Sequence, residues 1–447
     1  MNKSRQIAVI GSGVSGAISA WLLQKHAEVT LMECDSRFGG HTHTVLVEEP
    51  GEPSQPLAID TGFMVFNESN YPLFSALLRH LDVAVYPTDM SFSASFDDGA
   101  LEYAGSDLNT LFGQRRNLAS PRFWRMLLDI LRFNRAAQRI PVSEIDNGQT
   151  LDELLDHIGV GQAMRDHYLY PMAAAIWSCP DGKVGAFPAA SFVRFFNNHG
   201  LIHIADRPRW MTIEGGSSTY MNRLMDDLGD AATAGIPVNH VRRVADGVRV
   251  TLDDGHSAVF DDVVIATHSD QALAMLAEPT ADEQSLLGAV RYQPNRVLLH
   301  TDERLMPRNR RVWSSWNYLG AGHGGQSQSV SVTYWMNSLQ RLATRRQYFV
   351  SLNPVVEPRA EHIVSEFEYQ HPVFDAGALA AQRQLHRIQG QGGVWFAGAW
   401  TGYGFHEDGM RSGVEVARAL GAPIPWESEV NASRDLSMVS QLVDEAA

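Results

Sequence analysis

The sequence predicts an α/β fold with a Rossmann-type unit at its amino terminus, and three observations predict it. Ile7–Ile10 is a continuous apolar run, typical of a parallel strand covered on both faces. Three glycines follow at G-x-G-x-x-G spacing (residues 11–16) and lead into the helix pattern Ala17 to Lys25. A second strand pattern, Glu28 to Glu33, then ends in an acid. Strand, glycine turn, helix and strand therefore occur in the order of a βαβ unit.

The glycine turn is suited to binding a dinucleotide. Gly11 permits the tight turn, Gly13 lets a pyrophosphate approach the backbone, and Gly16 allows close packing of helix on strand. The free N–H groups and the positive dipole at the amino terminus of the helix favour phosphate. Glu33 stands where a carboxylate binds a ribose hydroxyl. We therefore predict dinucleotide contacts from this segment, whereas the alternative is a glycine turn in an ordinary βαβ unit; the predicted residues are Gly11, Gly13, Ser15, Gly16 and Glu33.

Composition narrows the class of protein. The length of 447 residues suggests about three domain-sized units, and 44% hydrophobic with 19% charged residues excludes a mostly disordered chain. The net charge of −15 argues against a general nucleic-acid binder. Two cysteines form neither a disulfide framework nor a cysteine-rich zinc site, so we expect the reducing cytoplasm and no metal. No apolar run reaches about 18 residues, so we expect no transmembrane helix.

The segment after the second strand, Cys34 to Thr42, resembles the E-x(n)-R-x-G-G-R motif of flavoproteins in the amine oxidase and phytoene desaturase superfamily. The resemblance implies FAD as the cofactor, with the Gly39–Gly40 doublet along the flavin-side pyrophosphate and with Arg37 and Thr42 at the same site. The final arginine of the motif is His41 in this chain. Because we find no second dinucleotide motif, we expect substrate to reduce the flavin and oxygen, a quinone or another carrier to reoxidise it.

Three further segments resemble the same superfamily. Leu57–Phe63 looks like the strand and turn that reach the flavin ring, which implicates Gly62 and Phe63. Ile236–Asp262 predicts a meander of strands around Asp-Gly turns, and the resemblance places the backbone of Val241 at the adenine. The stretch 394–413 resembles the carboxy-terminal flavin motif, although Ala399 or Trp400 replaces its usual acid. That motif implies cofactor contacts from Gly398, Trp400, Asp408, Gly409 and Met410.

These pieces imply two interleaved domains, not three in series. The FAD-binding domain, of the glutathione-reductase-like, amine oxidase type, is predicted from residues 1–70, 205–275 and 385–425. An α+β substrate-binding domain is predicted from 71–204 and 276–384, and residues 426–447 form a tail.

Narrower signatures, such as Trp316–Tyr318 and Tyr369–Phe374, resemble a bacterial family usually described as predicted NAD/FAD-binding or amine-oxidase-like proteins. Members of that family tend to accompany methyltransferases similar to cyclopropane-fatty-acyl-phospholipid synthase. Some are implicated in desaturating methylated fatty acyl chains on the way to furan fatty acids. The resemblance implies a fatty acyl substrate, in particular a methylated phospholipid chain, and a methyltransferase partner. Large apolar residues between Phe63 and Trp210 suit an acyl tunnel, but each could equally be core.

The segment Arg115 to Arg139 is anomalous in an acidic chain, since it holds seven arginines and one acid, Asp129. Apolar residues are interspersed at helical spacing. We hypothesise that this segment rests on an anionic membrane surface, as a peripheral contact on the inner face. The alternative is a solvated arginine face paired with acids elsewhere.

The segment between the last flavin strand and the last flavin helix supplies the candidate catalytic residues. His406 has an ordinary pKa suited to proton abstraction, and Tyr403 and Glu407 lie beside it in the chain. Asp408 is more simply a helix cap. We predict hydride transfer from an acyl chain to the flavin, with His406 as base or orienting group. The alternatives are an amine oxidase, or a flavin-binding partner of a methyltransferase that does not turn over.

Overall fold

The structure is a computed structural model, and it describes residues 4–49, 52–140, 145, 148–177, 181–198, 200–202, 208–320 and 331–428. The strands are β1 Gln6–Ile10, β2 Glu28–Met32, β3 Thr44–Glu49, β4 Glu52–Asp60, β5 Phe66–Asn67, β6 Val85–Pro87, β7 Phe92–Phe96, β8 Leu101–Ala104, β9 Trp210–Ile213, β10 Ala232–Thr233, β11 Val238–Val244, β12 Gly247–Leu252, β13 Ser257–Phe260, β14 Asp262–Ile265, β15 Arg291–His300, β16 Trp316–Gly320, β17 Ser331–Trp335, β18 Phe349–Leu352, β19 Ile363–Val373 and β20 Val394–Phe396.

The helices in the described part of the chain vary in length from three to 19 residues. They are α1 Val14–Leu23, α2 Pro72–His80, α3 Leu108–Leu111, α4 Pro121–Arg139, α5 Leu151–Ile158, α6 Gln162–Met164, α7 Tyr170–Trp177, α8 Ala189–Asn198, α9 Ser218–Leu228, α10 Ser269–Met275, α11 Ala281–Leu287, α12 Met336–Leu339, α13 Ala376–Gln382 and α14 His406–Ala419. No helix within the described ranges is both long and apolar enough to cross a membrane.

The chain divides into two compact units. The first consists of Met1–Tyr86, Ile213–Arg291 and Gly377–Ala447, and the second of Pro87–Thr212 and Tyr292–Ala376. The first unit extends past the predicted boundary at residue 70, because the carboxylate of Glu407 accepts hydrogen bonds from two amides at the start of α2.

The first unit is built on a parallel sheet with the strand order β10-β2-β1-β14-β20. β1 pairs with β2 on one side and with β14 on the other, so the central strand joins residues more than 200 positions apart. Ile7, Ala8 and Val9 have no exposed surface, as the continuous apolar pattern predicted. The α/β fold is confirmed, as is the antiparallel meander β11-β12-β13.

The second unit is built on a seven-stranded sheet with the order β19-β15-β18-β17-β16-β7-β8. Within it β7 and β16 pair in parallel. Antiparallel pairs join β15 with β18, β18 with β17, β17 with β16, and β7 with β8. Many of the aromatics predicted as a tunnel pack on one another. Phe192 stacks on Phe196 with ring centroids 4.2 Å apart, and Trp177 lies 4.7 Å from Phe195. At 1–2% exposure, Phe192, Phe195 and Phe196 are core.

The described part of the predicted tail packs against the first unit. Trp426 is buried and stacks on Trp21 of α1, with ring centroids 6.0 Å apart. Residues 429–447 of that prediction lie outside the described residues.

Candidate active site

The glycine turn after β1 has two crowded glycine positions and one open one. Gly11 has a φ of +96°, and a Cβ on Gly16 would lie 1.8 Å from the carbonyl oxygen of Gly11, so neither position tolerates a side chain. A Cβ on Gly13 would meet nothing within 4 Å. Gly13 also begins α1 without any side-chain cap on the first amides of the helix. The turn thus offers an uncapped helix terminus where an anion can approach.

Ser12 joins three segments around this turn. Its N–H and hydroxyl donate to Oε2 of Glu33 at 2.7 and 2.5 Å, and its hydroxyl accepts from the N–H of Gly39 at 3.0 Å. Glu33 lies directly after β2, as predicted for a ribose-binding acid, and is buried. In this arrangement one of its oxygens fixes the glycine turn, while Oε1 accepts from the N–H of Asp35.

The loop 37–42 brings a second pair of glycines to the same place. The guanidinium of Arg37 donates to the carbonyl oxygens of Gly40 at 2.7 Å and Thr42 at 3.4 Å, which holds the loop closed. Gly39 and Gly40 have φ values of +111° and +56°, and a Cβ on Gly40 would lie 3.4 Å from Cα of Gly13. Two glycine backbones therefore adjoin at the amino terminus of α1, which is the cradle that a pyrophosphate requires.

Helices α1 and α14 present their amino termini at the same end. The hydroxyl of Ser15 donates to the carbonyl of Gly409 at 2.8 Å, and the hydroxyl of Ser19 donates to the carbonyl of Gly413 at 3.2 Å. A Cβ on Gly413 would lie 2.4 Å from the carbonyl of Ser15, so this close packing requires glycine. The predicted cofactor residue Ser15 thus uses its hydroxyl to align two positive helix ends.

The turn after β4 is held against the 37–42 loop. The N–H of Phe63 donates to the carbonyl oxygen of His41 at 2.8 Å, and a Cβ on Gly62 would lie 2.1 Å from the same oxygen. Asp60, fully buried, accepts from the hydroxyl of Thr44 at 2.6 Å and from the N–H of Ser217 at 2.8 Å. Burial raises the pKa of Asp60 to about 6.

His406, the first residue of α14, lies in an aromatic cluster. Its ring stacks on Phe63 with centroids 3.8 Å apart and meets the edge of Phe74 at 4.8 Å. Its Nε2 is hydrogen-bonded to the hydroxyl of Tyr220 at 2.7 Å, and that hydroxyl is 2.8 Å from Oγ1 of Thr42. Burial lowers the pKa of His406 to about 3, so the imidazole is neutral at physiological pH. It can accept a proton, but it holds that proton weakly.

The two carboxylates after His406 have structural tasks. Oε1 and Oε2 of Glu407 accept from the N–H groups of Leu73 and Phe74, each at 3.0 Å, so Glu407 caps α2 and is not positioned by the structure as a catalytic group. Oδ2 of Asp408 accepts from the N–H groups of Tyr403 at 3.0 Å and Phe405 at 3.1 Å. Burial raises the pKa of both carboxyls, that of Glu407 to about 7.

Other predicted cofactor residues are covered by protein. Trp400, predicted as a cofactor contact, is 2% exposed, and its indole N–H donates to the carbonyl of Thr267 at 3.1 Å, so its ring packs inside the protein. Met410 and Val241 have 0% and 1% exposed surface, backbone included, so the folded chain covers both of them. The carbonyl of Val241 already accepts from the N–H of Ala277. Position 398 requires glycine, because a Cβ there would lie 2.3 Å from the indole nitrogen of Trp400.

Sequence reasoning missed Ser12 and Tyr220. Ser12 occupies a variable position of the glycine motif, and Tyr220 lies in α9, far along the chain from Thr42 and His406. No local pattern marks either residue, because each acts through partners that only the tertiary fold brings near.

Comparisons with known proteins identify the family of the chain. The model of the family described as flavin containing amine oxidoreductase matches residues 14–421. A curated relative, tryptophan 2-monooxygenase of Allorhizobium ampelinum, is 36% identical over 109 residues, which are 24% of this chain and 14% of that protein. The matched stretch is therefore a small part of that relative.

Solved structures share the fold. Putrescine oxidase bound to putrescine superposes with a TM-score of 0.65 at 16% identity, over 94% of this chain and 99% of that chain. A CLA-producing fatty acid isomerase from P. acnes gives a TM-score of 0.64 at 14% identity, again over 94% and 99% of the two chains.

Proposed function

The chain belongs to the family of flavin containing amine oxidoreductases, and from this premise we propose that it dehydrogenates a fatty acyl chain. FAD is its cofactor, and the chain is an oxidoreductase of the amine oxidase superfamily. The glycine cradle at Gly13 and Gly40, the uncapped start of α1 and Glu33 would hold the dinucleotide. When bound, FAD supplies the acceptor for a hydride.

The neutral, aromatic surroundings of His406 carry the proposal. The imidazole is uncharged and stacks on Phe63, and the carboxylates of Glu407 and Asp408 are held by backbone amides. A hydrocarbon can be buried against such a surface at no electrostatic cost, whereas an ammonium group would require an acceptor or a counter-charge.

The residues around His406 can also remove a proton. Dehydrogenation of a CH–CH unit releases one hydride and one proton, and it leaves a carbon–carbon double bond. His406, as predicted, would take the proton. Because its pKa is low, the proton must pass on, and the first group to receive it would be the hydroxyl of Tyr220, which is hydrogen-bonded to Nε2 of His406 and to Oγ1 of Thr42.

Similar proteins support two substrate classes. The fatty acid isomerase has this fold and, by its name, acts on a fatty acid, which favours the acyl proposal. Putrescine oxidase and tryptophan 2-monooxygenase favour a second candidate, oxidation of a carbon–nitrogen bond. With acyl dehydrogenation we also propose that the substrate is a methylated phospholipid chain and that a methyltransferase is a partner of this protein.

Anaerobic mixing separates the candidates. The purified holoenzyme would be mixed without oxygen with vesicles of a methyl-branched unsaturated phospholipid, with the unmethylated phospholipid, and with putrescine or tryptophan. We expect the branched lipid to bleach the oxidised flavin absorbance. Bleaching by an amine alone would establish the second candidate, and stable lipid binding without bleaching would indicate a partner that does not turn over.

The contribution of His406 is tested in the same assay. The His406→Ala variant should reduce its flavin about 100-fold more slowly, the scale of a lost general base. The exposed residue His256 provides a matched control, since His256→Ala removes an imidazole from a surface turn of the same unit. An unchanged rate in His406→Ala would remove His406 from the chemistry.

A further inference from the structure

The second unit exposes an unusual concentration of apolar side chains. Of nine large apolar residues that the described chain exposes, four lie within residues 108–128: Leu108 at 74%, Leu118 at 50%, Trp124 at 45% and Leu128 at 62%. The last two are one helical turn apart on α4, so they project from the same side of the helix. Exposed apolar residues scattered singly are ordinary, but a cluster marks a contact surface.

Arginines surround these side chains. The seven arginines of residues 115–139, all exposed, are here called the arginine face together with the three exposed large apolar residues among them; it comprises Arg115, Arg116, Leu118, Arg122, Trp124, Arg125, Leu128, Arg132, Arg135 and Arg139. From Trp124 to Arg139 its members on α4 recur at intervals of one to four residues along one stripe. Beneath this stripe Phe123, Met126 and Phe133 are buried in the unit. The outward side of α4 therefore carries the cations and the exposed apolar groups together.

The charge of the arginine face is mostly uncompensated. Arg132 is 3.3 Å from Asp129, the one acid of the segment, which is buried and also accepts from the N–H of Gly161. On neighbouring α5, Asp156 is paired with Arg165 at 2.5 Å. Arg115 and Arg116 donate to backbone carbonyls and to Asn109 or Gln114.

Of the seven arginines of the face, only Arg132 has an ion pair within the ranges that the structure describes, and besides Arg115 and Arg116 this leaves four exposed arginines: Arg122, Arg125, Arg135 and Arg139. These findings weigh against the alternative that acids elsewhere in the fold neutralise the face.

We propose that the arginine face docks on an anionic phospholipid bilayer. α4 is 19 residues long, or about 28 Å, so its full length can lie along a membrane surface. The arginines would contact lipid phosphates, and Trp124 and Leu128 would enter the interfacial region, where amphipathic rings are favoured. The indole N–H of Trp124 donates to the carbonyl of Leu118, which holds the ring in place beside the cations.

A cavity at the start of α4 fits the same ligand. It has a volume of about 400 Å³, and its lining combines Arg116 and Arg122 with Phe123 and Met126; one carboxylate, Asp97, also lines it. Two guanidinium groups beside hydrocarbon match a lipid phosphate attached to its acyl chains. The docking surface does not depend on which bond the enzyme oxidises.

Vesicle flotation of the full-length holoenzyme tests this docking. Each arginine near an anionic membrane contributes about five-fold to binding, so the combined Arg122→Gln, Arg125→Gln and Arg135→Gln variant should bind phosphatidylglycerol vesicles roughly 100-fold more weakly. Changing Leu128→Ser should weaken binding as well. The matched control neutralises three exposed arginines elsewhere, Arg209, Arg249 and Arg291, to Gln. It should bind like the parent protein, and raised salt should release the parent.

Several outcomes would overturn the proposal. One is equal recovery of the parent protein with phosphatidylglycerol and with phosphatidylcholine vesicles. A second is that the control variant loses vesicle binding to the same degree as the variant of the arginine face. A third is that the parent protein binds single-stranded RNA more tightly than the vesicles. If millimolar inorganic phosphate prevents the protein from floating with the vesicles, the cavity at the start of α4 is a site for free phosphate and not for a lipid. The flavin spectrum and thermal unfolding of each variant report folding, and neither depends on substrate.

Discussion

Glu407 provides a sharp test of the site's architecture, because sequence reasoning assigned it to catalysis whereas the structure makes it the cap of α2. The change E407Q keeps the shape of the side chain and removes its titration. Burial raises the pKa of Glu407 from 4.5 to about 7 in the folded protein. The folded state therefore holds the proton more tightly than the unfolded state, so the contribution of Glu407 to stability is fully present below pH 4.5 and is lost as the pH rises through 7.

The magnitude follows from the gap between the two pKa values. At 1.36 kcal/mol per pH unit, the contribution of Glu407 falls by about 3 kcal/mol from below pH 4.5 to above pH 7, and E407Q lacks this change. The lowered pKa of His406 acts in the opposite direction, but it is common to both proteins and cancels in their difference. The amide nitrogen of E407Q cannot accept a hydrogen bond, so the variant loses one of the two bonds to α2 at every pH, and only the pH-dependent part of the difference reports the titration of Glu407.

Urea unfolding of both holoenzymes at pH 5 and pH 8 measures this difference, with the exposed Glu415→Gln on the same helix as control. We expect the stability of E407Q relative to wild type to increase by about 2.5 kcal/mol between the two pH values, with flavin reduction within a few-fold of wild type. A difference that does not change with pH would refute the buried cap. A 100-fold loss of flavin reduction in a stable E407Q protein would return Glu407 to the chemistry.

The remaining predictions concern the cofactor, the proton path and a thiol. Gly13→Ala should fold normally, because its Cβ meets nothing within 4 Å, but should lose FAD affinity by at least 10-fold in a titration of apoprotein, whereas Gly105→Ala, which is equally open, should not. Tyr220→Phe should bind FAD yet slow anaerobic flavin reduction about 10-fold, and an unchanged rate would contradict the proton path. Burial and Glu33 raise the pKa of the Cys34 thiol to about 11, so alkylation by iodoacetamide should be slow at pH 8 and faster in Glu33→Gln; rapid alkylation of wild type would refute the assigned surroundings.

Local patterns were enough to predict the dinucleotide half of the site. The strand, glycine turn and helix at residues 6–23 are contiguous, and the steric roles of Gly11 and Gly16 follow from short-range contacts that the spacing encodes. The meander around Val241 was also predictable, since Asp-Gly turns between alternating residues are a local signal.

The surroundings of the predicted flavin ring could not be predicted in this way. Glu407 reaches amides more than 300 positions away, and the burial that lowers the pKa of His406 comes from Phe63, Phe74 and Tyr220. A sequence shows that a histidine is present, but not that the fold surrounds it with aromatic rings. Trp400 is a similar case, because its packing against the end of β14 depends on the neighbouring strand β20.

The most direct test of acyl dehydrogenation is a single anaerobic turnover followed by mass spectrometry of the lipid. The holoenzyme, in excess over a methyl-branched unsaturated phospholipid, would be allowed to reduce its flavin before the lipid is extracted. We predict a product that lacks two hydrogen atoms, with a new double bond in the acyl chain, in a quantity equal to the flavin reduced. Unchanged lipid beside an oxidised flavin, together with full reduction by an amine, would contradict the proposal.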